Sequence, residues 1–138
     1  MTPQLASWHR QTDGQAYPVP KIYQEVLILR VAVVGSRKLF ITDLGPYLPP
    51  ETTEIVTGGA KGVDTSAALY AVKHGLKLTE FRPDYRRYGK GAPLKRNITI
   101  IENADFVLIF WNGTSTGTQH VISECQKRDI PYQIYRTI

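Results

Sequence analysis

The 138-residue chain has the length of one compact domain and is long enough to bury a core. With 42% hydrophobic and 21% charged residues it has the composition of an ordinary globular protein, which argues against a disordered or fibrous chain. A single cysteine excludes an intramolecular disulfide framework, and a net charge of +5 favours an anionic partner over a cationic one.

Residues 1–29 hold four glutamines and three prolines and show no sustained period before 22-IYQEVLILR-30, so they are expected to form an extension outside the main domain. The first residues lack the basic-then-apolar order of a signal peptide, and with Cys125 unpaired the expected location is the cytoplasm. The apolar runs 26-VLIL-29, 31-VAVV-34 and 106-FVLIFW-111 fall short of the roughly 18 residues of a membrane span and read as buried strands, so no membrane partner is expected.

From Arg30 onward, short runs rich in β-branched residues alternate with longer segments of helical spacing, the pattern of a parallel sheet covered on both faces. The expected strands are 30-RVAVV-34, 54-EIVT-57, 76-LKLTEF-81, 105-DFVLIF-110 and 132-YQIY-135. A first, weak helix is expected around Phe40 to Leu48, before Pro49 and Pro50. A second runs from near Gly62 to Gly75 with Val63, Ala67, Tyr70 and Ala71 or His74 on one face. The third starts near Ala92 with Pro93 in its first turn and Leu94, Ile98 and Ile101 stacked. The fourth covers Thr118 to Lys127, with Val121, Ile122 and Cys125 turned inward. The fold class is therefore α/β: a Rossmann-like three-layer fold with a mainly parallel five-stranded sheet, in a domain over 30–138.

In such folds ligands sit outside the carboxyl ends of the strands. Three of those ends carry small hydrogen-bonding residues: 35-GSRK-38, 57-TGGAKGVDTSAA-68 and 112-NGTSTGT-118. Successive free amide N–H groups at a helix start make a concave anion site, so these loops are candidate phosphate cradles. Each also has a purely structural use, because Gly-rich turns end strands generally, Asp64 suits a first helical turn, and Ser115 or Thr118 suits an N-cap. Neither 58-GGAKGVDT-65 nor 113-GTSTGT-118 has the spacing of a standard nucleotide fingerprint. Asp64 suits a ribose hydroxyl, Arg37, Arg87 and Arg96 suit phosphate, and Tyr85, Tyr88 and Trp111 offer flat faces, although Trp111 also suits a core. Segment 82-RPDYRRYGKGAPLKR-96 holds six Lys or Arg against one Asp, which equals the whole net charge of the chain, and is either a wet loop or an anion-binding surface. His9, His74 and His120 lack metal-ligand spacing, and no metal site is expected. Cys125 reads as a small core residue, and His120 with Glu124 as an i,i+4 pair.

The runs 31-VAVVGSRKL-39, 55-IVTGGAKGVD-64, 82-RPDYRRYGKGAPLKRN-97 and 105-DFVLIFWNGTSTGTQH-120 together resemble the YspA-like, cpYpsA-related branch of the SLOG superfamily, over about Arg30 to Ile138. Its relatives include LOG-type phosphoribohydrolases and the Rossmann-like domains of DNA-processing proteins. The resemblance implies a site for a nucleotide or nucleotide-derived ligand lined by Gly35, Ser36, Arg37, Gly58, Gly59, Gly62, Asp64, Arg96, Asn97, Gly113, Thr114, Ser115, Gly117 and Thr118. The phosphoribohydrolases carry a P-G-G-x-G-T-x-x-E signature whose glutamate takes part in cleavage. Here 117-GTQHV-121 puts Val121 at that position, which leaves Asp64 and Glu124 as the candidate catalytic carboxylates. The leading expectation is binding or sensing of a nucleotide-derived small molecule with no obligatory cofactor. The alternatives are an N-glycosidase acting on nucleoside monophosphates or nucleotide sugars, and a single-stranded nucleic acid binder using segment 82–96. A homodimer or higher homo-oligomer is expected.

Overall fold

The computed structural model describes residues 8–10, 16–18 and 28–137. Strands β1 (Trp8–Arg10) and β2 (Ala16–Pro18) pair antiparallel, with His9 opposite Tyr17. The rest of the proposed extension up to residue 27 lies outside the described residues.

The main sheet is built from β3 (Arg30–Gly35), β4 (Glu54–Thr57), β5 (Lys77–Glu80), β6 (Phe106–Trp111) and β7 (Tyr132–Arg136) in the order β5-β4-β3-β6-β7, and every neighbouring pair is parallel. Alternation along the two central strands explains why both faces must be covered. Val31 and Val33 of β3 join Leu108 and Phe110 of β6 in one core, while Ala32, Val34, Val107 and Ile109 enter the other. Helix α1 (Val63–Lys73) seals the first core through Val63, Ala67 and Ala71. After a short turn, α2 (Tyr85–Tyr88), come α3 (Ala92–Glu102) and α4 (Thr116–Lys127), which cover the second core with Ile100, Ile101, Val121, Ile122 and Cys125. Two helical layers and a parallel sheet make the α/β Rossmann-like architecture that the alternating pattern predicts.

Two local expectations are corrected. The helix expected from Phe40 to Leu48 is a single 3-10 turn, Gly45–Tyr47. Pro46 brings no N–H, and the Asp43 carboxylate accepts from Gly45 N at 3.0 Å, diverting the backbone into a local turn. Leu44 and Leu48 are buried all the same, so their helical spacing reflects core filling without a helix. In α3 the inward residues are Asn97, Ile100 and Ile101; Leu94 is 47% exposed and Ile98 is half-buried. Among the described residues no helix is long and apolar enough to cross a membrane.

Candidate functional site

Strand β3 is followed by β4 on one side, whereas the later strand β6 lies on its other side, so the loops leaving β3 and β6 diverge. A cleft of about 450 Å³ opens there, between the Gly35–Lys38 loop, the Asn112–Thr118 loop and the start of α3. This is the crevice at the carboxyl ends where doubly wound sheets hold their ligands.

The first wall depends on a close approach. A Cβ on Gly35 would lie 2.6 Å from Phe110 O and 2.7 Å from Val63 Cγ2, so only glycine lets α1 start against the strand end. Ser36 is buried; its Oγ accepts from Lys38 N at 3.1 Å and its carbonyl accepts from Val63 N at 3.3 Å. Arg37 and Lys38 remain exposed on the rim.

The second wall is organised by Asn112, whose Oδ1 accepts from Thr114 N at 2.9 Å, Thr114 Oγ1 at 3.2 Å and Ser115 N at 2.9 Å. Ser115 then caps α4, accepting from Thr118 N at 3.5 Å and Thr118 Oγ1 at 3.2 Å. Thr116 and Gly117, the first residues of the helix, are left with amides that have no intrahelical acceptor, at its positive end. Trp111, half-buried, donates from Nε1 to Ser115 O at 3.2 Å and lies under the Arg136 guanidinium at 5.6 Å, so it braces this loop.

The third wall is α3. Arg96 donates from Nη1 to Gly58 O at 2.8 Å and from Nε to Asn97 Oδ1 at 3.2 Å, while Asn97 Nδ2 faces His120 Nδ1 at 3.4 Å. Burial pushes the Arg96 pKa down, against the opposing pull of Asp64; Arg37 lowers it further and Tyr85 raises it.

The Gly58–Gly62 loop departs from the expected cradle. Gly58 N and Ala60 N both donate to Asp64 Oδ2 at 3.1 Å, and the carbonyls of Gly58 and Gly59 accept from Arg96 and from Arg82 Nη1 at 3.2 Å. Two of the loop's amides and two of its carbonyls are thus engaged by its own supports, while Ala60 alone of residues 58–62 lines the cleft. Gly62, at φ +77°, crosses beneath the first loop, where a Cβ would sit 2.5 Å from the carbonyl oxygens of Ser36 and Arg37. Gly58, Gly59 and Gly62 therefore shape the site from outside the cleft, and Gly113 is overlaid by Arg136.

Of the residues expected in the site, Gly35, Ser36, Arg37, Asp64, Arg96, Asn97, Thr114, Ser115, Gly117 and Thr118 line the cleft. Asp64 is 7% exposed, and burial raises its pKa against the lowering effect of the Ala60 amide, Arg96 and the Gly58 amide, with Glu80 raising it slightly. Glu124 is not among the lining residues: it pairs with Lys127 at 3.4 Å and Arg128 at 3.5 Å, and does not bond to His120. Val121 does line the cleft. Burial and the neighbouring Glu124 push the Cys125 thiol up to about 11, which leaves it a core residue. Sequence reasoning missed Lys38, Asn112, Pro93 and Leu94 as lining residues; the Asn-Gly pair after β6 was the available signal for Asn112.

Residues 47–88 match the model of the YspA, cpYpsA-related SLOG family. Over those residues the chain is similar to that family. That match spans the 57-TGGAKGVD-64 loop and the first part of the basic segment. The Gene 61 protein of Mycobacterium phage D29 is 39% identical over 83 residues, covering 56% of this chain and 66% of that protein. The fold is also similar to that of DNA processing protein A from Streptococcus pneumoniae, with a TM-score of 0.61 and 21% identity over 80% of this chain and 51% of that one. A second similar structure is DNA processing protein A from Helicobacter pylori, described for its single-stranded DNA binding mode, with a TM-score of 0.60 and 23% identity over 80% of this chain and 66% of the other. At these identities the likeness to the solved structures is one of fold.

Proposed function

We propose that the SLOG-type domain binds a nucleotide-derived small molecule in this cleft, as a sensor or carrier. The observation that carries the reading is the convergence, where the β3 and β6 loops diverge, of Gly117, whose amide has no intrahelical acceptor, with Ser36, Arg37, Lys38 and Arg96. A helix terminus alone contributes about 0.3–1 kcal/mol toward an anion, so the added cations are what make phosphate a fitting ligand. The apolar rim of Pro93 and Leu94 suits a base.

An N-glycosidase is less well supported. Among the residues lining the cleft Asp64 is the single carboxylate, and one of its oxygens already holds two amides. A nucleic acid reading is favoured by a separate feature: Tyr88 is 39% exposed and has Arg87 at 5.2 Å and Lys95 at 5.5 Å over its ring, a stacking platform edged with positive charge beside Tyr85. The DNA binding described for the Helicobacter pylori protein supports this second reading.

The test is thermal unfolding of the full chain with AMP, ADP-ribose or NAD at millimolar concentration, with NMR of each mixture for released base. A raised Tm with intact ligand is expected, since a ligand held by the folded state at about 100 times its Kd adds about 2.7 kcal/mol. An unchanged Tm throughout would overturn the reading, and release of free adenine or nicotinamide would move the assignment to the glycosidase.

A further inference from the structure

Asp64 is a cleft-lining carboxylate with one oxygen engaged and one left without a protein donor. Its Oδ2 holds Gly58 N and Ala60 N, whereas Oδ1 makes no hydrogen bond or ion pair among the described residues, although the side chain is more than nine-tenths buried and lines the cleft. A carboxylate oxygen that is free of protein donors and not fully buried, on a residue lining the cleft, accepts from a donor, so the complementary ligand group is a donor. Arg96 and Arg37 act on the same volume and disfavour a cationic donor, while the carboxylate itself disfavours phosphate. A neutral hydroxyl fits both constraints.

Position narrows the choice. Asp64 follows Val63, whose amide donates to Ser36 O at 3.3 Å, so the carboxylate stands next to the loop assigned to phosphate. In a nucleotide the group covalently next to the phosphate is the sugar. We infer that Asp64 Oδ1 accepts a ribose hydroxyl, making the cleft selective for free ribonucleotides over sugars that lack that hydroxyl or have it esterified within a strand. The inference rests on the phosphate reading above and deepens it.

The experiment is isothermal titration of the full chain with AMP, GMP, CMP and UMP, each beside its 2′-deoxy and 3′-deoxy counterpart. A bond to a charged acceptor predicts that removing one of the two hydroxyls weakens binding roughly ten-fold or more. Which deoxy position shows the loss identifies the hydroxyl. Asp64→Asn keeps a carbonyl for the two amides and is expected to narrow that ratio several-fold. Equal affinity of parent and both deoxy forms overturns the inference and leaves the phosphate reading standing. No binding by any of these nucleotides overturns both.

Discussion

A carboxylate such as Asp64 serves two masters, the loop behind it and the cleft before it. Its Oδ2 replaces the acceptors that Gly58 N and Ala60 N would otherwise need, and burial raises its pKa above the ordinary 3.8. The folded chain thus keeps this proton at pH values where the unfolded chain has lost it. The contribution of Asp64 to stability is complete below the unfolded pKa and declines as pH rises through that value toward the folded one. Relative to Asp64→Asn, which does not titrate, the parent protein is expected to be more stable near about pH 3 than near about pH 7. Urea denaturation of both proteins across that range checks the sign; a difference that is flat or runs the other way contradicts it. The Asp in the first turn of α1 was legible in sequence as either a helix residue or a ribose acceptor. Its actual job of holding the loop's amides was not, because that depends on the path of residues 58–62 in space.

At the scale of elements, the helix phases decide what reaches the cleft. Stacking Leu94, Ile98 and Ile101 is a sound reading of period, but α3 is turned so that Asn97, Ile100 and Ile101 meet the sheet and α4. That rotation brings Arg96 over Gly58 and leaves Leu94 on the rim. Ile100→Ala is expected to cost about 2–5 kcal/mol, as truncation of a fully buried side chain does, whereas Leu94→Ala should cost well under about 1 kcal/mol. Chemical denaturation of the two variants measures this directly, and equal losses would mean that the helix sits in the other phase. The short turn α2 has a different origin. Asp84 Oδ1 accepts from Arg87 N at 3.1 Å, so a capped turn, with no apolar face of its own, displays Tyr85, Tyr88 and the basic residues. The charge concentrated in 82–96 was visible in the sequence; that it becomes an aromatic and cationic ledge required the turn.

For the whole molecule, the two described cores are formed by residues between Leu29 and Tyr135. Deletion of residues 1–27 is therefore expected to leave a cooperatively folding domain with a Tm within a few degrees of the full chain, by calorimetry, and a loss of the transition would assign those residues a part in the core. The five strands, their parallel pairing and three of the helices were readable because alternating β-branched runs and helical spacing are local consequences of what must be buried on two faces of one sheet. The position of Gly35, Ser36, Arg37 and the Ser115 cap at strand ends was equally local, since turns and caps are set by a few neighbouring residues. Only the tertiary structure decided which backbone groups of the three glycine-bearing loops are already satisfied. Arg96 and Arg82 arrive from distant sequence to occupy the Gly58 and Gly59 carbonyls, Asp64 takes the Gly58 and Ala60 amides, and the first turn of α4 keeps amides without an intrahelical acceptor. The physical reason is that a loop's free hydrogen-bonding groups are those its neighbours in space have not already satisfied.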